Sequence, residues 1–282
     1  MRSRIESRFA ELKREGRAGF VPYVMAGDPD AATALAILQG LPGAGADLIE
    51  LGFPFSDPMA EGPPIQRAAQ RALAAGMTLT GVLRLAQAFR AGDEGTPLIL
   101  MGYMNLILHR GIAAFARDAA ASGVDGVIVV DCPPEEAAEL AAALDAADVS
   151  LIRLATPTSD AARLKVVVKG TSGFVYYVSV AGVTGVKEAD AAAVAPMVER
   201  VRRASGLPVA VGFGIRTPER AAAIARVADA VVVGSALVDE AAEALEMNED
   251  VTGRVLLKAE SLANAVRSAR TGQTMAKTHG DG

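Results

Sequence analysis

Eight short apolar runs recur along the chain, each followed by a stretch of helical composition, and this alternation restricts the possible folds more than any other feature. The runs begin at Phe20 (FVPYVM), Asp47 (DLIEL), Pro97 (PLILM), Asp125 (DGVIVV), Ser150 (SLIRL), Gly173 (GFVYYV), Leu207 (LPVAV) and Ala230 (AVVVG). Spaced by roughly 25 to 50 residues, they leave room for one strand, one loop and one helix per unit, the pattern of a parallel sheet with crossover helices. An open doubly wound sheet usually carries a Gly-rich fingerprint after its first strand, whereas here the first run ends in MAGDPD. The predicted fold is therefore α/β, an eight-stranded (β/α)8 TIM barrel.

Helix boundaries follow from side chains able to cap unpaired N–H groups. Asp30 before AATALAIL, Ser159 before DAARL, and Thr217 with Pro218 behind it are predicted helix starts. The opening MRSRIESRFAELKREGR places Ile5, Phe9 and Leu12 at helical spacing among charges, which predicts an amphipathic N-terminal helix. The interval after the second run is long enough for two helices, and a short helical stretch follows the eighth, so extra helices are expected after strands 2 and 8. Residues 1–268 are read as one catalytic barrel domain and 269–282, polar and without periodicity, as a disordered tail.

Composition excludes several function classes. With 51% hydrophobic and 22% charged residues the chain is of globular type, and 4% aromatics with no Trp leave the core to aliphatic side chains. A net charge of −5 offers no basic field for nucleic acid. Charges, Gly and Pro interrupt every long apolar stretch, so no membrane partner is expected. One cysteine, Cys132, allows no disulfide within the chain, and His109 and His279 lack metal-ligand spacing. A cytoplasmic location and metal-free chemistry are the expectations.

In a barrel of this kind the reacting groups stand at the C-terminal ends of the strands. Glu50 is a charge inside the apolar run DLIEL, on the same face as Leu48. It is either a general acid whose pKa burial raises, or a strand-tip carboxylate facing water or an Arg. The loop LGFPFSDPMAEGPPIQ carries Asp57 and Glu61, either as a second carboxylate opposite Glu50 or as loop-solvating charges. Later loops are glycine-rich at Gly182, Gly185, Gly212, Gly214 and Gly234, and Gly234 with Ser235 opens a helix. Backbone N–H groups there suit a phosphate, although glycine also serves tight turns. Tyr23, Tyr176 and Phe213 are candidates to line a slot for an aromatic ring, each alone being as compatible with core packing.

The stretches ELGFPFSDPMAEGPPIQ, MGYMN, SVAGVTG, VGFGI and VVVGSA together resemble the tryptophan synthase α subunit family, collinearly from the first helix to about Leu262. The resemblance implies a lyase that splits indole-3-glycerol phosphate into indole and glyceraldehyde 3-phosphate. It implies that Glu50 and Glu61 are catalytic, that Tyr23, Tyr176, Thr184 and Phe213 border the indole ring, and that Gly185, Gly214, Gly234 and Ser235 hold the phosphate. Glu61 stands where the family commonly carries an aspartate, one methylene shorter, and Val180 where some relatives carry an arginine. No cofactor is implied for this chain. Pyridoxal phosphate is expected only in a β subunit partner, within an α2β2 heterotetramer, facing the PFSDP loop and the region of Tyr103 and Asn105, with SVAGVTG ordering over bound substrate. Alternatives are a stand-alone lyase on the same substrate and a non-catalytic phosphate-binding barrel that regulates a partner.

Overall fold

The computed structural model describes residues 3–179, 191–212 and 214–271. Its strands are β1 (Gly19–Met25), β2 (Ile49–Gly52), β3 (Leu98–Gly102), β4 (Gly126–Val129), β5 (Ser150–Ala155), β6 (Val175–Val178), β7 (Val209–Gly212) and β8 (Ala230–Val233). They close into one barrel in chain order with every neighbouring pair parallel. Around it run α1 (Arg4–Glu15), α2 (Ala31–Gly40), α3 (Pro63–Ala74), α4 (Leu79–Arg90), α5 (Met104–Arg110), α6 (Ile112–Ala121), α7 (Ala138–Asp145), α8 (Ala161–Val167), α9 (Ala191–Ser205), α10 (Pro218–Ala225), α11 (Ser235–Glu246) and α12 (Val251–Ser268).

The N-terminal helix closes the barrel floor. Ser3 and Glu6 form a reciprocal capping box at its start, and Gly16, at φ 69°, ends it. Its buried face, Ile5, Phe9 and Leu12, packs onto interior residues that include Val21, Leu48, Ile99, Ile128, Ile152 and Phe174. These interior side chains are aliphatic or small apart from Phe174 and Tyr176, as the aromatic-poor composition requires.

The extra helices expected after strands 2 and 8 are present: α3 and α4 follow β2, and α11 and the 18-residue α12 follow β8, the latter longer than a short stretch. Two local details differ from expectation. A further helix, α5, follows β3; its seven residues MNLILHR are too few to show a helical period, and Gly111 stops it. The α8 cap is Asp160, whose Oδ1 accepts from Arg163 N at 2.7 Å, while Ser159 is buried and its Oγ accepts from Thr156 N at 3.2 Å. A carboxylate is the stronger acceptor, so the neighbouring Asp takes the cap.

The barrel rim opposite the strand C-termini carries one device three times. Asp47 Oδ2 accepts from Phe20 N at 2.9 Å and the Asp47 carboxylate takes the Arg17 fork at 2.8 Å on each oxygen. Asp125 accepts from Leu98 N at 2.8 Å and from Arg90 and Arg4, both at 2.9 Å. Asp229 accepts from Val209 N at 2.8 Å and from Arg202 at 3.1 Å. Each Asp sits just before an even-numbered strand and ties down the start of the odd-numbered strand before it.

At the C-terminus Arg270 Nε donates to Ala225 O at 2.8 Å, and the tail from residue 272 lies outside the described residues. Among those described, no single helix is long and apolar enough to cross a membrane.

Candidate active site

Glu50 follows Leu48 on the interior face of β2, in register with Tyr23 of β1. Alternation along a strand turns both Leu48 and Glu50 inward, and a closed barrel offers no edge at which the charge could reach water. Glu50 is 1% exposed, and neither carboxyl oxygen has a hydrogen-bond partner. Loss of water and, second, the nearby negative charge of Glu61 push its pKa up to about 8.

Glu61 is brought there by a loop that is braced from outside. Phe53 N donates to Met101 O at 2.9 Å, which carries the chain on from β2 beside β3. Phe55 then stacks on Tyr103 with ring centroids 5.0 Å apart, and the Tyr103 hydroxyl accepts from Ala60 N at 3.0 Å. Glu61 N donates to Pro58 O at 3.2 Å, and Gln66 of α3 donates to Glu61 O at 2.9 Å. Glu61 is thus half-buried, and desolvation raises its pKa to about 7. Asp57 has the other fate: it is exposed and accepts from Ser56 Oγ at 2.6 Å. Tyr103, placed by the resemblance in a partner-facing region, is 2% exposed and turns onto the loop, whereas Asn105 beyond it is exposed. Removing the Tyr103 hydroxyl costs one hydrogen bond, about 1 kcal/mol, so Tyr103→Phe is expected to lower kcat/KM about 3- to 10-fold with the melting temperature falling by only about 2–4 °C. Steady-state kinetics beside a thermal melt checks this.

Two tyrosines stand over the carboxylates. Tyr23 and Tyr176 are buried, and the negative fields of both Glu50 and Glu61 add to burial in raising each phenol well above its ordinary value. Their hydroxyls fit because the neighbouring strand ends in glycine. A Cβ on Gly52 would lie 2.1 Å from the Tyr23 oxygen, and one on Gly212 would lie 2.0 Å from the Tyr176 oxygen. Gly212→Ala is therefore expected to displace Tyr176, lowering activity at least tenfold and stability by about 1–3 kcal/mol. A denaturant melt alongside an activity assay reads both effects.

Met101, Val130, Leu154 and Val178 pack partly exposed on the interior core and give the strand ends an apolar lining. Farther along the mouth lies the end suited to an anion. Gly234 opens α11 without a side-chain cap, no acidic residue occupies the first turn, and Gly214 adopts φ 72°. Leu237 and Val238 are the first N–H groups to bond back to Gly234 O, so those of Ser235 and Ala236 are left for a ligand. Gly234 packs beside Tyr23, an added Cβ there lying 3.3 Å from the ring. Thr184, Gly185 and Phe213, with Val180 and Gly182, lie outside the described residues.

Buried acid, second carboxylate, apolar lining and bare helix start all lie at one end of the barrel, and the comparison with known sequences decides their meaning. The sequence model of the tryptophan synthase alpha chain family matches residues 9–267. The chain belongs to that family. The tryptophan synthase alpha chain of Phenylobacterium zucineum (strain HLK1) is 80% identical over 269 residues, 95% of this chain and 97% of that one. That of Caulobacter vibrioides (strain NA1000 / CB15N) is 71% identical over 271 residues, 96% of this chain and 98% of that one. The crystal structure of tryptophan synthase subunit alpha from Legionella pneumophila str. Paris superposes with a TM-score of 0.88 at 38% identity, covering 94% of this chain and 99% of that one.

Within this alpha chain family fold, reading the sequence missed the apolar lining and the role of Gly52. Period-two alternation would have found the lining, since Met101, Val130, Leu154 and Val178 each lie two residues beyond an interior side chain (Ile99, Ile128, Ile152 and Tyr176). Gly52 carries no such signal, because what it accommodates belongs to another strand.

Proposed function

We propose that Glu50 and Glu61 together carry out the family's lyase reaction, the cleavage of indole-3-glycerol phosphate to indole and glyceraldehyde 3-phosphate in tryptophan biosynthesis. Expelling a carbanion from the indole ring is prohibitive, so the ring carbon bearing the side chain must be protonated first. Glu50, neutral at pH 7, gives that carbon its proton. The positive charge that develops on the ring nitrogen is met by the Glu61 carboxylate. Glu50, now ionised, accepts the proton of the side-chain hydroxyl adjacent to the ring as the carbon–carbon bond breaks, and the bonding pair returns to the ring. Indole leaves, the aldehyde forms, and Glu50 is protonated again. Each proton transfer by a placed group is worth roughly 100 to 10,000-fold.

One observation carries this reading: a fully buried carboxyl without a partner stands beside a second carboxyl, with pKa values raised to about 8 and about 7. Midway between those values such a pair holds about one proton, so an acid and a base are present together. Tyr23, Tyr176, Phe213 and Thr184 are assigned to the indole ring, and Gly185, Gly214, Gly234 and Ser235 to the phosphate. Fixing both ends of the substrate contributes through orientation. The chemistry needs no cofactor in this chain, and pyridoxal phosphate belongs to a β subunit.

The partner is assigned to the loop at 53–62 and to α5. Support comes from Met59 and Leu108, large apolar side chains there that are 79% and 58% exposed. A solved relative, the tryptophan synthase of M. tuberculosis in its aminoacrylate-bound form, is 35% identical with a TM-score of 0.84, covering 94% of this chain and 100% of that one. A cytoplasmic α2β2 assembly fits this picture. Indole release from indole-3-glycerol phosphate by the purified protein, followed with and without β subunit, tests the reading. Release that rises with the partner supports it; no release under either condition overturns it.

A further inference from the structure

A cavity of about 360 Å³ lies between the chain following β4, strand β5 and helix α8. Its unusual feature is Arg153. This residue alternates with the interior Ile152 and Leu154, so its side chain points outward from the barrel and into the cavity wall. It is only 8% exposed, its Nε has no acceptor, and among the described residues no carboxylate stands within ion-pair distance of it. The opposing Glu135 is committed to the Arg163 guanidinium across the rim. Burying a guanidinium without an ion-pair partner is costly, and burial lowers the Arg153 pKa even though Cys132 and the Glu135 charge act in the other direction.

We propose that this cavity binds a small organic carboxylate, with Arg153 as its anchor. The planar guanidinium fork matches a carboxylate, and the hydroxyls of Thr156 and Ser159 line the same wall. Val129, Leu151, Pro133 and Val167 supply apolar surface for the body of such a ligand. Asp131 on the wall, with Glu135 and Glu136 in the adjoining turn, disfavours a dianion such as a phosphate monoester. The volume lies at the lower end of ligand pockets, the size for an aromatic or branched aliphatic acid. Val130 and Leu154 line this cavity and also pack on the interior core beside the proposed substrate site, so the two occupancies have to be separated experimentally.

The test uses 4-fluorobenzoate, observed by fluorine NMR line broadening with the full-length chain. Broadening is expected with the parent protein, persisting under saturating indole and glyceraldehyde 3-phosphate, with 4-fluorobenzamide bound at least about tenfold more weakly. Arg153→Met is expected to weaken 4-fluorobenzoate binding at least about tenfold. Val167→Phe, which fills the cavity from α8 and leaves the residue at 153 unchanged, is expected to abolish binding while circular dichroism confirms the fold. Absence of binding to the parent, unchanged binding in both variants, or displacement by indole and glyceraldehyde 3-phosphate would each overturn the proposal.

Discussion

Replacing Glu50 by Gln is expected to remove indole release while making the protein harder to unfold at neutral pH. The amide keeps the shape of the side chain but has no proton to give, so turnover should fall by about 100 to 10,000-fold. The stability gain follows from linkage. Glu50 has a pKa of about 8 in the folded protein against an ordinary 4.5. Between those values the unfolded chain has released a proton that the folded state retains, so stability falls as pH rises from 4.5 towards 8 and levels off above. At pH 7 this cost is on the order of 3 kcal/mol, and the Gln variant escapes it. Urea melts of both proteins across that span measure the effect: a declining stability for the parent and a flatter one for Glu50→Gln. A variant that releases indole within about threefold of the parent, where the proton-transfer range requires far more, removes Glu50 from the mechanism.

The second large effect is on the pH profile. The proposed reaction requires a protonated Glu50 and an ionised Glu61, which makes kcat/KM a bell. Its limbs belong to the coupled pair, and its maximum lies midway between about 7 and about 8, near pH 7.5. In Glu61→Gln the acid limb should vanish, because no base remains to be protonated. The alkaline limb should move to lower pH, because the Glu61 charge is one of the two influences holding Glu50 up. Activity at the optimum should fall about 100-fold. A parent profile with a single limb, or a variant whose alkaline limb stays in place, would assign the titrations elsewhere.

Much of this architecture was readable from local pattern. Strands buried on both faces have to be short, apolar and bounded by Gly, Pro or Asp, and all eight runs became strands. Glu50 stood out for the same reason: a charge inside such a run has to be accounted for. Its companion did not stand out, since Asp57 and Glu61 share one loop and nothing local separates them. The choice is made by Tyr103, which directly follows the next strand and whose hydroxyl holds the backbone at Ala60. The α8 cap failed at a finer scale, where Ser159 and Asp160 were both eligible and only acceptor strength distinguished them. Helix α5 was missed because seven residues span too few turns for a period to register.

The three aspartate locks at the floor have a consequence for how this enzyme can change. They set the alignment of β1 with β2, β3 with β4 and β7 with β8 from the end remote from chemistry. The loops at the other end are thereby released from holding strands in place. Insertions and exchanges there reshape what the mouth accepts while the staves of the barrel stay aligned, so new specificities are reachable through loop variation alone.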